Sequence, residues 1–212
     1  HHLLYHVGGA ALGPLVMTSA NASDEPLVID NDEALRRLGD LCDALLWHDR
    51  PIERCVDDSV LIDVPEAAPL PIRRARGFVP ASLPLPEHCA AAGDGLCIGG
   101  ELKNAVAVVR DGRAVLSAHL GDLAHPLAFD YFTKAIDDLQ HLFGVEPRWI
   151  ACDEHPGYLC TQHARKLADR LGVELIQVQH HHAHAAAVMA EHGITDRVLA
   201  ITCDGTGYGP DG

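Results

Sequence analysis

The sequence predicts an α/β protein in two parts, and three observations carry that prediction. From residue 96 onward short apolar runs alternate with longer segments of helical period. A proline-rich stretch interrupts the chain before that alternation starts, and the part ahead of it has its own shorter apolar runs and turn signals. Alternating strands and helices imply layers about a central sheet, whose ligands gather at strand ends.

Taken in order, Leu15-Val16-Met17 reads as a buried strand running into the small polar cluster Thr18-Ser19-Ala20-Asn21-Ala22-Ser23. Residues 31–41 read as a helix capped by Asn31 or Asp32, and residues 44–47 and 59–62 as further strands. Pro65, Pro69, Pro71, Pro80, Pro84 and Pro86 then crowd together, and such segments cannot pack as core elements. A linker is expected over 84–94, dividing a first unit, 1–83, from a second, 95–212. In the second unit residues 96–98, 105–110 and 114–119 read as strands, with Asp111-Gly112 as the hairpin turn between the last two. Residues 126–143 read as an amphipathic helix with Ile136, Leu139 and Phe143 at helical spacing. Strand 149–152, helix 160–171, strand 174–178, helix 182–192 and strand 198–203 complete the alternation.

Composition narrows the function. A formal charge of -14 argues against a general nucleic-acid binder, which needs a basic stripe to displace counterions. Seven cysteines, odd in number and without a Cys-x-x-Cys pair, read as reduced, mostly buried thiols of a cytoplasmic protein. No apolar run approaches a membrane span, so no membrane role is expected. The first residues read as the interior of an element and the last, Gly209-Pro210-Asp211-Gly212, as a loop cut short, so the chain is expected to be part of a longer one.

The sharpest chemical signal is Gln179-His180-His181-His182-Ala183-His184, four imidazoles in five positions where a strand gives way to a helix. His180 and His184 are one helical turn apart, so both can grip one metal ion. The small alanines that follow let such a helix pack closely, and Asp204 is the nearest candidate for a third ligand. The metal is expected to be zinc, iron or another ion that accepts imidazole with carboxylate. Polar groups at four strand ends, Gly99-Gly100-Glu101, Asp153-Glu154-His155, His180 and Asp204-Gly205-Thr206-Gly207, are expected to meet in one crevice. Arg73-Arg74-Ala75-Arg76 concentrates guanidinium groups suited to phosphate, or to pairing with nearby carboxylates. Asp57-Asp58-Ser59 could orient a cation or simply turn into a strand, and Thr18, Ser19 and Asn21 could hold an acyl phosphate or cap a helix.

Together these strings resemble a known family. Val16-Met17-Thr18-Ser19-Ala20-Asn21, Asp49-Arg50-Pro51-Ile52, Val56-Asp57-Asp58-Ser59-Val60, Arg73-Arg74-Ala75-Arg76-Gly77-Phe78-Val79-Pro80, Gly99-Gly100-Glu101-Leu102-Lys103-Asn104, His119-Leu120-Gly121-Asp122-Leu123, the histidine cluster and Asp204-Gly205-Thr206-Gly207-Tyr208-Gly209 stand in the order found in the HypF carbamoyltransferases of [NiFe]-hydrogenase maturation. The resemblance implies that 1–83 is the C-terminal part of a YrdC-like α/β domain. It implies that 95–212 is the N-terminal part of a Kae1-like domain of the actin/Hsp70 ATPase type. Such enzymes form carbamoyl adenylate from carbamoyl phosphate and ATP, then pass the carbamoyl group to the C-terminal cysteine of the partner HypE for cyanide ligand synthesis. By position in the motifs, Arg73 and Arg76 would be the catalytic, charge-neutralising residues. Thr18, Ser19, Asn21 and Ser59, with Lys103, Gly205, Thr206 and Gly207 at a second nucleotide, would bind phosphates. His180, His184 and Asp204 would hold a divalent metal, with Mg for the nucleotide and a last carboxylate beyond residue 212. A chain of this extent is not expected to complete the transfer alone. Two other readings stay open at this point: an enzyme of tRNA threonylcarbamoyladenosine synthesis, and a non-catalytic metal or nucleotide binding module.

Overall fold

The structure, a computed structural model, describes residues 2–22, 25–66, 68–205 and 207–209. Thr206, expected at a nucleotide, lies outside the described residues, as do Ser23, Asp24 and residues 210–212.

The second unit is built on a six-stranded sheet in the order β3-β6-β5-β4-β7-β8. Its strands are β3 (Ser82–Pro84), β4 (Gly95–Cys97), β5 (Ala107–Arg110), β6 (Arg113–Leu116), β7 (Trp149–Asp153) and β8 (Glu174–Val178). The β5-β6 hairpin turns where expected, because Asp111 and Gly112 both take positive φ, 50° and 69°. Beyond it α3 (Pro126–Phe143) starts with proline at its first turn and stops at Gly144, whose left-handed φ of 60° ends the helix. Phe132 and Ile136 of α3 are buried with Leu96, Val108 and Ile150 of the sheet, Ile98 just after β4, and Cys160, Ala164 and Leu167 of α4 (Leu159–Leu171) in one core. The crossovers through α3 and α4 make β4, β7 and β8 parallel, so all three C-terminal ends face the same way.

The first unit is lighter. An antiparallel pair, β1 (Val60–Ile62) and β2 (Leu70–Arg73), lies with α1 (His2–Gly8) and α2 (Asn31–Leu38). Asp30, not Asn31 or Asp32, caps α2, its carboxylate accepting the Glu33 amide at 2.8 Å. Asn31 instead donates its side-chain amide to the His48 carbonyl. Ion pairs Arg54–Asp138 (2.8 Å), Lys134–Glu53 (3.2 Å) and Arg74–Glu191 (2.7 Å) tie this unit to α3 and to α5 (His180–Glu191) of the second.

Several expectations change. Residues 15–17, 44–47 and 198–203 are apolar enough for strands but form none. A strand is defined by its backbone partners, and Val16, Leu46 and Leu199 stay 93%, 92% and 93% exposed with no neighbouring strand among the described residues. The segment expected as a linker holds a 3-10 helix, Glu87–Ala92, while β3 just before it pairs antiparallel with β6. Residues 82–84 thus belong to the second unit's sheet. Prolines are tolerated there because β3 is an edge strand, where a missing amide donor costs nothing.

Candidate metal centre

The parallel register between β7 and β8 sets Asp153 beside Val178, so the end of β7 lies level with the start of α5. Gln179 begins α5, its side-chain oxygen accepting the His182 amide at 2.8 Å. His180 therefore opens the helix beside Asp153, and His184 follows one turn later on the same face.

The two imidazoles meet Asp204. His180 Nε2 lies 2.8 Å and His184 Nε2 3.2 Å from the same Asp204 oxygen, and the two Nε2 atoms are 3.3 Å apart. Metal bonds of about 2.0–2.1 Å at tetrahedral angles place donor atoms about 3.3 Å apart. The donor set thus has nearly the spacing that a bound ion requires. A second observation agrees. Both nitrogens of His180 face carboxylate oxygens, Nδ1 toward Asp153 at 2.7 Å and Nε2 toward Asp204. A neutral imidazole has one N–H to offer, and a cation at Nε2 would satisfy the other pair of acceptors. The Gly205 amide, with the two imidazoles, also holds the Asp204 carboxyl below its ordinary value, keeping it anionic and fit to bind a cation.

The loops around this centre lock together. His155 stacks on Tyr158 with ring centroids 4.1 Å apart, and Tyr208 meets His155 edge-on at 5.3 Å, joining the loop after Asp153 to the loop after Asp204. Gly207 packs on the ring of His181, where an added Cβ would lie 2.5 Å away. That contact gives His181 a packing role, while His182 is exposed and is held by its backbone. The alanines of α5 do not pack closely as expected, since no described residue of α5 is buried.

The other expected residues divide into separate places. Gly100 lies against His180, its would-be Cβ 3.5 Å from the ring. Glu101 instead accepts the Cys160 amide at 3.2 Å and so caps α4 from a distant loop. Lys103 lines a cavity of about 770 Å³ between the units together with Ser19, Asn21, Arg73 and His119, a lining that does not include Gly205 or Gly207. Burial, chiefly, with Arg73 and Lys103 nearby, pushes the His119 imidazole down from its ordinary value. Arg73 pairs with Asp57, and Arg76 with Asp58 at 3.4 Å, so both guanidinium groups already face carboxylates. Ser59 Oγ accepts the Ala75 amide and donates to the Arg76 carbonyl, both at 2.9 Å, which fastens β1 to the segment after β2. Asn21 donates its amide to the carbonyls of Ala22 and Glu25, shaping its own loop, and Thr18 is exposed outside the cavity. The sequence named Asp153 and His155 only as strand-end groups of open role. The string Asp153-x-His155-Pro156-Gly157-Tyr158 was the available signal.

Comparison with known proteins decides the family. A family model described as HypF Kae1-like domain matches residues 90–191, and a YrdC-type model described as Telomere recombination matches residues 1–75. Carbamoyltransferase HypF of Rhodobacter capsulatus is 45% identical over the whole of this chain, which covers 28% of that relative. This chain belongs to the HypF family. Carbamoyltransferase HypF of Synechocystis sp. is 43% identical over all of this chain and 26% of its own length. A crystal structure of full-length HypF in the phosphate- and nucleotide-bound form is 41% identical and superposes with a TM-score of 0.81 over 92% of this chain and 30% of that one. The T. kodakarensis HypF crystal structure gives 39% identity and the same TM-score of 0.81, over 92% of this chain and 25% of that one. The chain thus spans about a quarter of the length of its HypF relatives, with a YrdC-like part followed by a Kae1-like part. No helix among the described residues is long and apolar enough to cross a membrane.

Proposed function

We propose that this chain is the central portion of an ATP-dependent carbamoyltransferase of [NiFe]-hydrogenase maturation. Its first unit serves formation of carbamoyl adenylate from carbamoyl phosphate and ATP, and its second serves carbamoyl transfer to the C-terminal cysteine of HypE. The observation that carries the reading is the convergence of His180, His184 and Asp204 on one ion-sized position at the end of the second unit's sheet. Relatives that span this chain end to end are named carbamoyltransferases.

The chemistry asks little of protein nucleophiles. A carbamate oxygen is a poor leaving group until it is joined to AMP, so charge stabilisation carries most of the work. Arg73 lines the inter-unit cavity and pairs with Asp57, a contact that aims its guanidinium while other donors of its five remain for phosphate oxygens. Ser19 and Lys103, one from each unit, offer further donors in the same space. His180, His184 and Asp204 would hold a divalent ion, zinc or iron by donor chemistry, which supplies Lewis acidity toward a carbonyl or phosphoryl oxygen. Half-buried Cys97 and buried Cys152 and Cys160 stand aside, because desolvation pushes the Cys97 and Cys152 thiols up to about 11 and the Cys160 thiol up to about 12. The accepting thiol in this reading is the C-terminal cysteine of HypE.

The test is a chimera in which this chain replaces the matching segment of the Rhodobacter capsulatus relative. Carbamoyl-phosphate-dependent exchange of pyrophosphate into ATP is expected in the chimera. Exchange driven by bicarbonate and threonine instead, or none in a folded chimera, would overturn the reading.

A further inference from the structure

Asp153 does more than end β7. Its side chain is 5% exposed, and a carboxylate held that far from water needs donors. Two are present. One oxygen accepts the His155 amide at 2.8 Å, a contact that shapes the loop. The other lies 2.7 Å from His180 Nδ1, and this second contact explains nothing about the loop. A carboxylate at that distance can only accept, so the proton sits on His180 Nδ1 and the Nε2 lone pair is turned toward His184 and Asp204.

We infer that Asp153 is the positioning carboxylate of the metal centre: it fixes the tautomer and the ring plane of His180, so that Nε2 faces the ion. The inference rests on the metal reading above and deepens it. Metal-bound imidazoles commonly donate their other N–H to a carboxylate, which orients the ring and raises its basicity. The fold makes the arrangement rigid. Asp153 is fixed by its strand register against Val178, by the His155 amide and by the Thr161 hydroxyl donating to the Asp153 carbonyl at 3.1 Å. Asp204, by contrast, lies on a segment without regular structure. The centre therefore has one ligand aligned in advance, His180, around which His184 and Asp204 can adjust.

The informative variant is Asp153→Asn. Its single carbonyl oxygen can keep the His155 amide contact, which turns the amide NH2 toward His180 Nδ1 and favours the tautomer protonated on Nε2, the wrong one for binding an ion. Zinc affinity of the purified protein, measured with Zn2+ against a competing chromophoric chelator, is expected to fall by about 10-fold or more. Unfolding temperature without metal checks that the fold survives. A variant that holds zinc within about twofold of wild type, on the scale where outer-shell losses run from about 10- to 100-fold, overturns the inference. A second measurement needs no variant: in zinc-loaded wild-type protein, 15N NMR of the His180 ring should show Nδ1 protonated and Nε2 bearing the metal. The reverse assignment overturns the inference even if Asp153→Asn does not fold. Equal zinc content in wild type and a His180→Ala/His184→Ala protein would instead sink the metal reading itself, and the inference with it.

Discussion

Gly95 is the tightest packing point at the start of β4, at the end of the sheet away from the metal centre, and replacing it with alanine gives a sharp prediction. It lies opposite Trp149 in the parallel β4-β7 pair, where an added Cβ would come within 2.0 Å of the indole ring. No rotation of a terminal group relieves that contact, because the nearest atoms belong to the fused ring itself. The indole must move, and it is held by donating Nε1–H to the Ala92 carbonyl at 2.9 Å. Forcing a methyl into a packed site costs about 1–3 kcal/mol, and losing the indole hydrogen bond about 0.5–1.5 kcal/mol more. Alanine in place of glycine inside a strand returns about 0.5–1 kcal/mol. The net loss is about 0.5–4 kcal/mol, or a fall of about 1–16 °C in Tm for a chain of this size. Calorimetry on Gly95→Ala, Trp149→Leu and the double variant reads it directly. With the ring gone, Gly95→Ala should cost almost nothing. An equal cost in both backgrounds would refute the clash as the cause.

Further outcomes follow from burial. His163 packs edge-on against Phe129 and Phe132 and its imidazole is pushed down, chiefly by burial. Between that lowered value and the ordinary value near 6.5, the unfolded chain binds more protons than the folded one. Stability contributed by neutral His163 is therefore full above the ordinary value and falls as pH drops below it. In chelator, Tm should decline on acidification below about pH 6.5, and less steeply in His163→Gln; parallel profiles would contradict this. Thiol labelling of the native protein at about pH 8 should modify the exposed Cys42 and Cys203 and spare Cys97, Cys152 and Cys160. Rapid modification of Cys160 would refute its protection by burial.

Legibility differed between the units for a physical reason. In the second unit the strands and helices through α5 carry their own period, and several carry their own stop: Pro126 begins α3, and Gly144 and Gly172 end α3 and α4 in left-handed conformation, whereas 198–203 lacks a partner strand among the described residues. In the first unit the apolar runs are short, and whether they become strands depends on partners that local sequence does not encode. Residues 15–17 and 44–47 have the composition of strands and lack the neighbours. The candidate site behaved the same way. Four-residue spacing marked His180 and His184, and Asp204 followed as a carboxylate after the next apolar run. That Glu101 would cap α4 while Asp153 would reach His180 could not be read, since both are acids at strand ends and only their placement separates them.

By itself the sequence determined the α/β class, the helices of the second unit, the histidine pair and the resemblance that named the family. These rest on periodicities and spacings within a few residues, which the backbone turns into shared faces without help from distant parts of the chain. Tertiary structure alone decided that residues 82–84 join the second sheet, that Lys103 lines the space beside Arg73, and that Asp153 holds His180. Those contacts join residues far apart in the chain, and register between strands, which no local pattern records, is what brings them within hydrogen-bond reach.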